Sequence, residues 1–149
     1  KENGFVHYEI SNFAKEGFYA KHNTAYWQNK HYLGVGPSAH SFNGGSRSWN
    51  VSSNKQYILK IKKGEDYFES EILNSPQQYN EYIFTALRTI WGVNSETIKE
   101  RFGEQMQTHF LKEVKKWETK KDIKRIENTY TLTTSGKFLA DAIASDLFM

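Results

Sequence analysis

Apolar positions recur at intervals of three and four through the second half of the chain, and at intervals of two over short stretches of the first. The helical spacing is clearest after Ser75-Pro76, a cap residue followed by proline at the first helical position. Tyr79, Tyr82, Ile83, Ala86, Leu87 and Ile90 then share one face, which predicts a helix to about Trp91, stopped by Gly92. Asn94 or Ser95 caps a short helix that holds Ile98 and Phe102 and ends at Gly103. A longer helix follows over residues 105–119, with Met106, Phe110, Val114 and Trp117 turned inward. Residues 123–126 and 130–132 read as two strands around an Asn128-Thr129 turn. Thr134 or Ser135 caps a last helix whose apolar face is Phe138, Leu139, Ala142, Ile143 and Leu147. Upstream, residues 54–63 predict a helix ended by Gly64, with Tyr57, Ile58 and Ile61 on one face.

The first third has a different texture, rich in Gly, Ser, Asn and aromatics. Residues 5–10 alternate as a strand: Val6, Tyr8 and Ile10 on one face, Phe5, His7 and Glu9 on the other. Residues 11–23 are polar and irregular, with Gly17 as a turn. Tyr32-Leu33-Gly34-Val35-Gly36 is a short apolar run broken by glycines, and strands at 39–42 and 48–51 flank a Gly44-Gly45 turn. This third carries few helix signals and reads as the last strands and loops of a larger sheet or barrel. The expected fold class is α+β in two parts. Residues 1–54 are an incomplete strand-rich region. Residues 55–149 are mostly helical, in a helix-helix-helix-hairpin-helix order that is winged-helix-like.

Composition narrows the classes. A chain of 149 residues with 15% aromatics builds a core from large side chains. Mean hydropathy is −0.75 and no long apolar run occurs, which argues against a membrane-spanning helix. No signal peptide is recognisable, so the cytoplasm is the default expectation. The chain opens on Lys1 and reads as a strand from Phe5, so a C-terminal fragment of a longer protein is expected. With no cysteine, the chain has no disulfide, thiolate zinc site or iron–sulfur ligation of its own. The net charge of +3 is local in origin: nine Lys or Arg face five acids between Lys99 and Arg125. Such a stripe meets phosphates or an acidic partner, or is a solvated helix face.

Candidate chemistry concentrates in His22-Asn23-Thr24-Ala25-Tyr26-Trp27. A neutral imidazole is a good ligand for haem iron. If this stretch is helical, His22 and Tyr26 share a face, and Trp27 packs on a porphyrin edge or fills the core. A satisfied core or loop histidine is the plainer alternative. Gly34 and Gly36 let backbone approach something flat or charged, or simply end a strand tightly; the third glycine and following helix of a dinucleotide fingerprint are missing. His40 lies on a strand-like segment, facing a ligand or buried and hydrogen-bonded. Glu9 points into a barrel lumen or onto a sheet surface. No residues form a recognisable catalytic set.

The strings YEISNFAKEG, HNTAYW, YLGVGPSAHSF and RSWN resemble the C-terminal end of the radical-SAM core in the oxygen-independent coproporphyrinogen III oxidase family. Glu81-Tyr82-Ile83, Leu87-Arg88, Gly92, Phe102 and the run from Tyr130 to Asp141 resemble that family's C-terminal domain. Within the family, HNxxYW is similar to the motif that marks its HemW-type haem chaperones. The resemblance implies that residues 1–54 are the last strands of a partial TIM-like barrel. It implies that His22 contacts haem, as an iron ligand, with Asn23, Tyr26 and Trp27 shaping its surroundings. It also implies an upstream CxxxCxxC that holds a [4Fe–4S] cluster and S-adenosylmethionine. That motif is absent here, so the fragment itself is expected to be catalytically inert.

The expected function is therefore that of the C-terminal part of a HemW-like protein that binds haem and delivers it to an acceptor haemoprotein, working with its own upstream barrel. One alternative is a fragment of an oxidase that decarboxylates two propionates by radical chemistry. A third is a nucleic-acid-binding winged helix, using residues 105–119 or the 123–132 hairpin.

Overall fold

The computed structural model describes residues 3–149, which form a mixed α/β chain. Contacts divide it into two compact units that do not follow chain order. One joins the residues up to Gln28 with Ser75–Met149; the other is Asn29–Asn74. No helix among the described residues is long and apolar enough to cross a membrane.

In the first unit, β1 (Phe5–His7) and β2 (Phe13–Lys15) pair as an antiparallel hairpin, followed by α1 (Lys21–Trp27). After the second unit come α3 (Ser75–Leu87), β6 (Val93–Asn94), α4 (Ser95–Phe102), α5 (Glu104–Thr119), β7 (Ile123–Ile126), β8 (Thr129–Leu132) and α6 (Ala140–Leu147). The three short strands form an antiparallel sheet ordered β6-β8-β7. One core unites these elements: Ile83 and Leu87 of α3, Ile98 of α4, Phe110 of α5, Tyr130 of β8 and Ile143 of α6 are all buried. Each such side chain contributes roughly 1.5–3 kcal/mol by leaving water. Phe110 and Tyr130 meet edge to face, 5.0 Å between centroids. Tyr79 is wholly buried, and its hydroxyl donates to the Leu147 carbonyl at 2.9 Å, fixing α6 to α3. Burial pushes that phenol well above its usual range.

At α4 the cap acts where the sequence places it. The Asn94 carboxamide oxygen accepts from the Glu96 and Thr97 N–H groups at the start of α4. α5 begins after Gly103 and buries Met106, Phe110, Val114 and Trp117 as expected.

The second unit contains β3 (His40–Phe42), β4 (Ser46–Asn50), α2 (Asn54–Lys63) and β5 (Phe68–Ile72), with the strands in the antiparallel order β3-β4-β5. Ser53 caps α2 by accepting from the Gln56 N–H, and Gly64 ends it at φ +69°. The helix matches its expected bounds, yet none of its residues is buried, and Ile58 and Ile61 face solvent.

Several expectations give way. β2 and the first residues of α1 fall within the stretch 11–23 read as irregular; pairing with β1 organises β2, whose residues have weak intrinsic preference. β5 was not foreseen: all five of its residues are exposed, and its ladder with β4 makes it a strand. α3 stops at Leu87 rather than near Trp91, because residues 89–90 turn to pair with residues 8–9, leaving Ile90 exposed. β8 begins at Thr129, so the turn falls on Glu127 (φ +53°) and Asn128. The last helix starts at Ala140, after a 3-10 turn over Gly136–Leu139. Ser135 does not cap it; its hydroxyl donates to the buried Asp122 carboxylate at 2.8 Å. Phe138 and Leu139 consequently point outward, Phe138 at 88% exposure.

Gly92 holds the junction of α3 and β6 at φ +67°, where a Cβ would lie 2.2 Å from the Tyr130 carbonyl oxygen. Gly92→Ala is expected to lower stability by more than about 2 kcal/mol in urea denaturation. Gly45→Ala, with open space and no positive φ, should stay within about 0.5 kcal/mol. Equal effects at the two positions would contradict this account.

Candidate functional site

The stretch 22–27 is helical, as the shared face of His22 and Tyr26 requires. α1 presents His22 exposed, with its ring edge-on to Tyr26 at 4.9 Å between centroids. Among the described residues, no hydrogen bond engages the His22 ring nitrogens. Asn23 is exposed beside it, while Trp27 is half-buried. An imidazole with free nitrogens, next to an aromatic edge, suits a soft or borderline metal bound to a flat apolar ring.

Behind α1 lies a framework that the sequence reading only touched. β1 ends at His7, so Tyr8 and Glu9 leave the strand alternation and both become buried, at 2% and 1% exposure. Glu9 therefore faces neither a sheet surface nor an open lumen here. Its carboxylate accepts from the Asn12 carboxamide, and its backbone bridges Thr89. Lys137 donates from its ammonium to the His7 carbonyl at 3.2 Å. Burial lowers the Lys137 pKa, and the nearby Glu9 charge partly opposes that shift. His7 stacks on Phe13 at 4.1 Å, and its Nε2 bonds the Ile10 carbonyl at 2.9 Å. Tyr19 lies between Tyr8 (4.9 Å) and Trp91 (5.9 Å). Asn12, Tyr19, Trp91 and Lys137 were not singled out beforehand. Asn12 acts locally, three residues from Glu9, whereas long-range packing gives Trp91 and Lys137 their roles, Lys137 lying 130 residues from His7.

Gly34, Gly36 and His40 belong to the second unit. A Cβ at Gly34 would lie 2.1 Å from the His40 carbonyl oxygen, so this glycine permits the close approach of two backbone segments. Gly34 donates from its N–H to the Ser41 hydroxyl at 2.9 Å. Gly36 sits at φ +104°, and its carbonyl accepts from the Asn50 amide at 2.8 Å. His40 is exposed rather than buried, 6.5 Å from the Trp49 ring, and lines a cleft of about 380 Å³ with Trp49, Val51 and Glu69. A second cleft of about 290 Å³ is lined by Gly34, Ser41, Phe42, Ser48 and Tyr67. The glycines thus close a small sheet structure, and each unit carries its own group of candidate residues.

These features belong to a mixed α/β module. Residues 73–139 match the family model described as HemN C-terminal domain. The chain is similar to the haem chaperone HemW of Bacillus subtilis, 37% identical over 141 residues, covering 94% of this chain and 37% of the relative. It is similar to the haem chaperone HemW of Lactococcus lactis, 38% identical over 101 residues, covering 68% of this chain and 26% of the relative. A 40-residue stretch is 58% identical to the mitochondrial radical S-adenosyl methionine domain-containing protein 1 of Bos taurus, covering 27% of this chain and 9% of that protein. Among solved structures, the radical-SAM enzyme coproporphyrinogen III oxidase (HemN) of Escherichia coli superposes with a TM-score of 0.74. It covers 99% of this chain and 38% of that one at 16% identity, which establishes the likeness of fold. The chain spans little more than a third of the Bacillus relative's length. The family resemblance carried by the sequence motifs is borne out.

The Lys137–Glu9 arrangement yields a test. Lys137→Met leaves the buried Glu9 carboxylate without its cation and should cost about 1–2 kcal/mol, the half-exposed lysine being partly screened. Glu9→Gln in that background should recover part of the loss, read from thermal or urea unfolding of the four-protein cycle. Additive losses would show that the two groups do not interact.

Proposed function

We propose that the chain is the C-terminal part of a HemW-type radical-SAM protein that binds haem as cargo and delivers it to an acceptor haemoprotein. The observation that carries this reading is the His22 imidazole: exposed, without a hydrogen bond at its nitrogens among the described residues, and flanked by Tyr26 on α1. In this reading His22 ligates the haem iron, Tyr26 borders the ring, and Asn23 and Trp27 shape the helix around them. Glu9 belongs to the framework behind α1, and Gly34, Gly36 and His40 belong to the second unit. The identity to haem chaperones over most of the chain supports the assignment.

The parent's [4Fe–4S] cluster and S-adenosylmethionine would sit on the upstream barrel. This chain has no cysteine to hold such a cluster. Residues 1–54 would complete that barrel, and residues 55–149 would form the winged-helix-like part. The order α3-β6-α4-α5-β7-β8, with the sheet ordered β6-β8-β7, supports the latter. The working compartment in this reading is the cytoplasm.

A second reading, a fragment of an oxygen-independent coproporphyrinogen III oxidase, is favoured by the likeness of fold to the Escherichia coli enzyme. The resemblance of residues 22–27 to the chaperone motif weighs against it. Porphyrinogen turnover by the full-length protein would decide for the oxidase.

Haem titration of the full-length protein, followed by absorbance, tests the chaperone reading directly. His22→Ala is expected to lose or alter the Soret shift of the wild type. Identical binding by both proteins would remove His22 from the site and shift the weight to the oxidase.

A further inference from the structure

We propose that Tyr19 and Trp91 form an aromatic clamp that sets the position of the His22 imidazole, which makes Trp91 a positioning residue for haem capture. The inference rests on the reading of His22 as haem ligand. α1 has only seven residues, and its N-cap residue, Ala20, supplies no side-chain hydrogen bond. Its first turn has no acid, its last turn no base, and none of its residues is buried. A helix this short does not hold itself in water, and uncapped N–H groups weaken it further. Half-buried Thr24, Ala25 and Trp27 and contacts with α3 hold its body, and the position of its first turn, which carries His22, depends also on what flanks it.

On the N-terminal side that flank is Tyr19, next to the cap residue and three positions from His22. Its ring is tilted 39° to Tyr8 at 4.9 Å and stands edge-on to Trp91 at 5.9 Å. Both neighbours are themselves fixed. Tyr8 is buried, and its carbonyl accepts from the Ile90 N–H at 3.0 Å. Trp91 is followed by Gly92, whose Cα lies so close to the Tyr130 carbonyl that no side chain fits. A ring held between two such groups transmits their position to the first turn of α1. Trp91 thus acts on haem through Tyr19 and the helix backbone, and it is not itself a ligand.

The test is a double-mutant cycle on the full-length protein, with haem binding read as affinity and as Soret band position. Trp91→Leu should weaken haem binding about three- to tenfold, the scale of one lost edge-on aromatic contact. It should also move the band away from that of the histidine-ligated wild type. Trp91→Phe, which keeps an edge-on ring, should retain both. In a His22→Ala background, Trp91→Leu should cause no further loss. If Trp91→Leu fails to fold, as judged by circular dichroism, Tyr19→Leu removes the middle ring and enters the same cycle. An unchanged affinity and band, or an equal loss in both backgrounds, would overturn the clamp. His22→Ala binding like the wild type would overturn the ligand assignment itself, a result separable from failure of the clamp alone.

Discussion

The Ile90 N–H donates to the Tyr8 carbonyl at 3.0 Å, and Glu9 bridges Thr89. These two backbone contacts join segments about eighty residues apart, and much of the first compact unit depends on them. They end α3 early, place Thr89 in a bridge followed by a turn at Ile90-Trp91, and draw Tyr8 and Glu9 out of solvent. Buried backbone polar groups must be paired, so this pairing dictates where both segments run. Trp91 reaches the side of Tyr19 only because α3 has stopped.

The polar groups drawn inward with this pairing are compensated locally. Glu9 takes a hydrogen bond from Asn12, and Lys137 brings a cation to the same region while bonding the His7 carbonyl. Asp122 is handled in a parallel way by the 133–136 segment. Its carboxylate accepts from Ser135, and its carbonyl accepts from the Thr133 N–H at 2.9 Å. A Cβ at Gly136 would lie 1.9 Å from that same carbonyl oxygen. Thr133, Ser135, Gly136 and Lys137 thus serve two buried carboxylates from one short turn. That use of the turn explains why the last helix begins only at Ala140.

Legibility in the sequence followed the origin of each element's stability. α5 was readable because its apolar stripe drives its burial, and α4 because Asn94 supplies a local cap. β2 and β5 were not readable because they owe their form to a partner strand rather than to their own pattern. Phe138 and Leu139 fit the helical period of the last segment, but the ties to Asp122 outweighed that period and turned them outward. At the candidate site, the helical face shared by His22 and Tyr26 was legible from their spacing of four. Glu9 was misplaced because strict alternation was carried past His7, where the strand ends. The ring pair Tyr19–Trp91 spans 72 positions, and no local pattern encodes it.

The exposure of α1 follows from its proposed task. A resident cofactor is held in a pocket that covers most of its surface, whereas a cargo must be reachable by an acceptor. A helix that buried its inner face would anchor His22 firmly but would bring the imidazole under cover as well. α1 buries no residue fully, with Thr24, Ala25 and Trp27 only half-buried, which leaves the imidazole open and limits the usual source of helix stability. The missing stability has to be supplied from outside the helix. Tyr19, held against Tyr8 at the edge of the long-range pairing, stands where that support is needed without covering the ligand. The buried framework and the exposed imidazole are in this sense one design: the rigidity lies one residue before the helix cap, so the surface proposed to meet haem stays exposed.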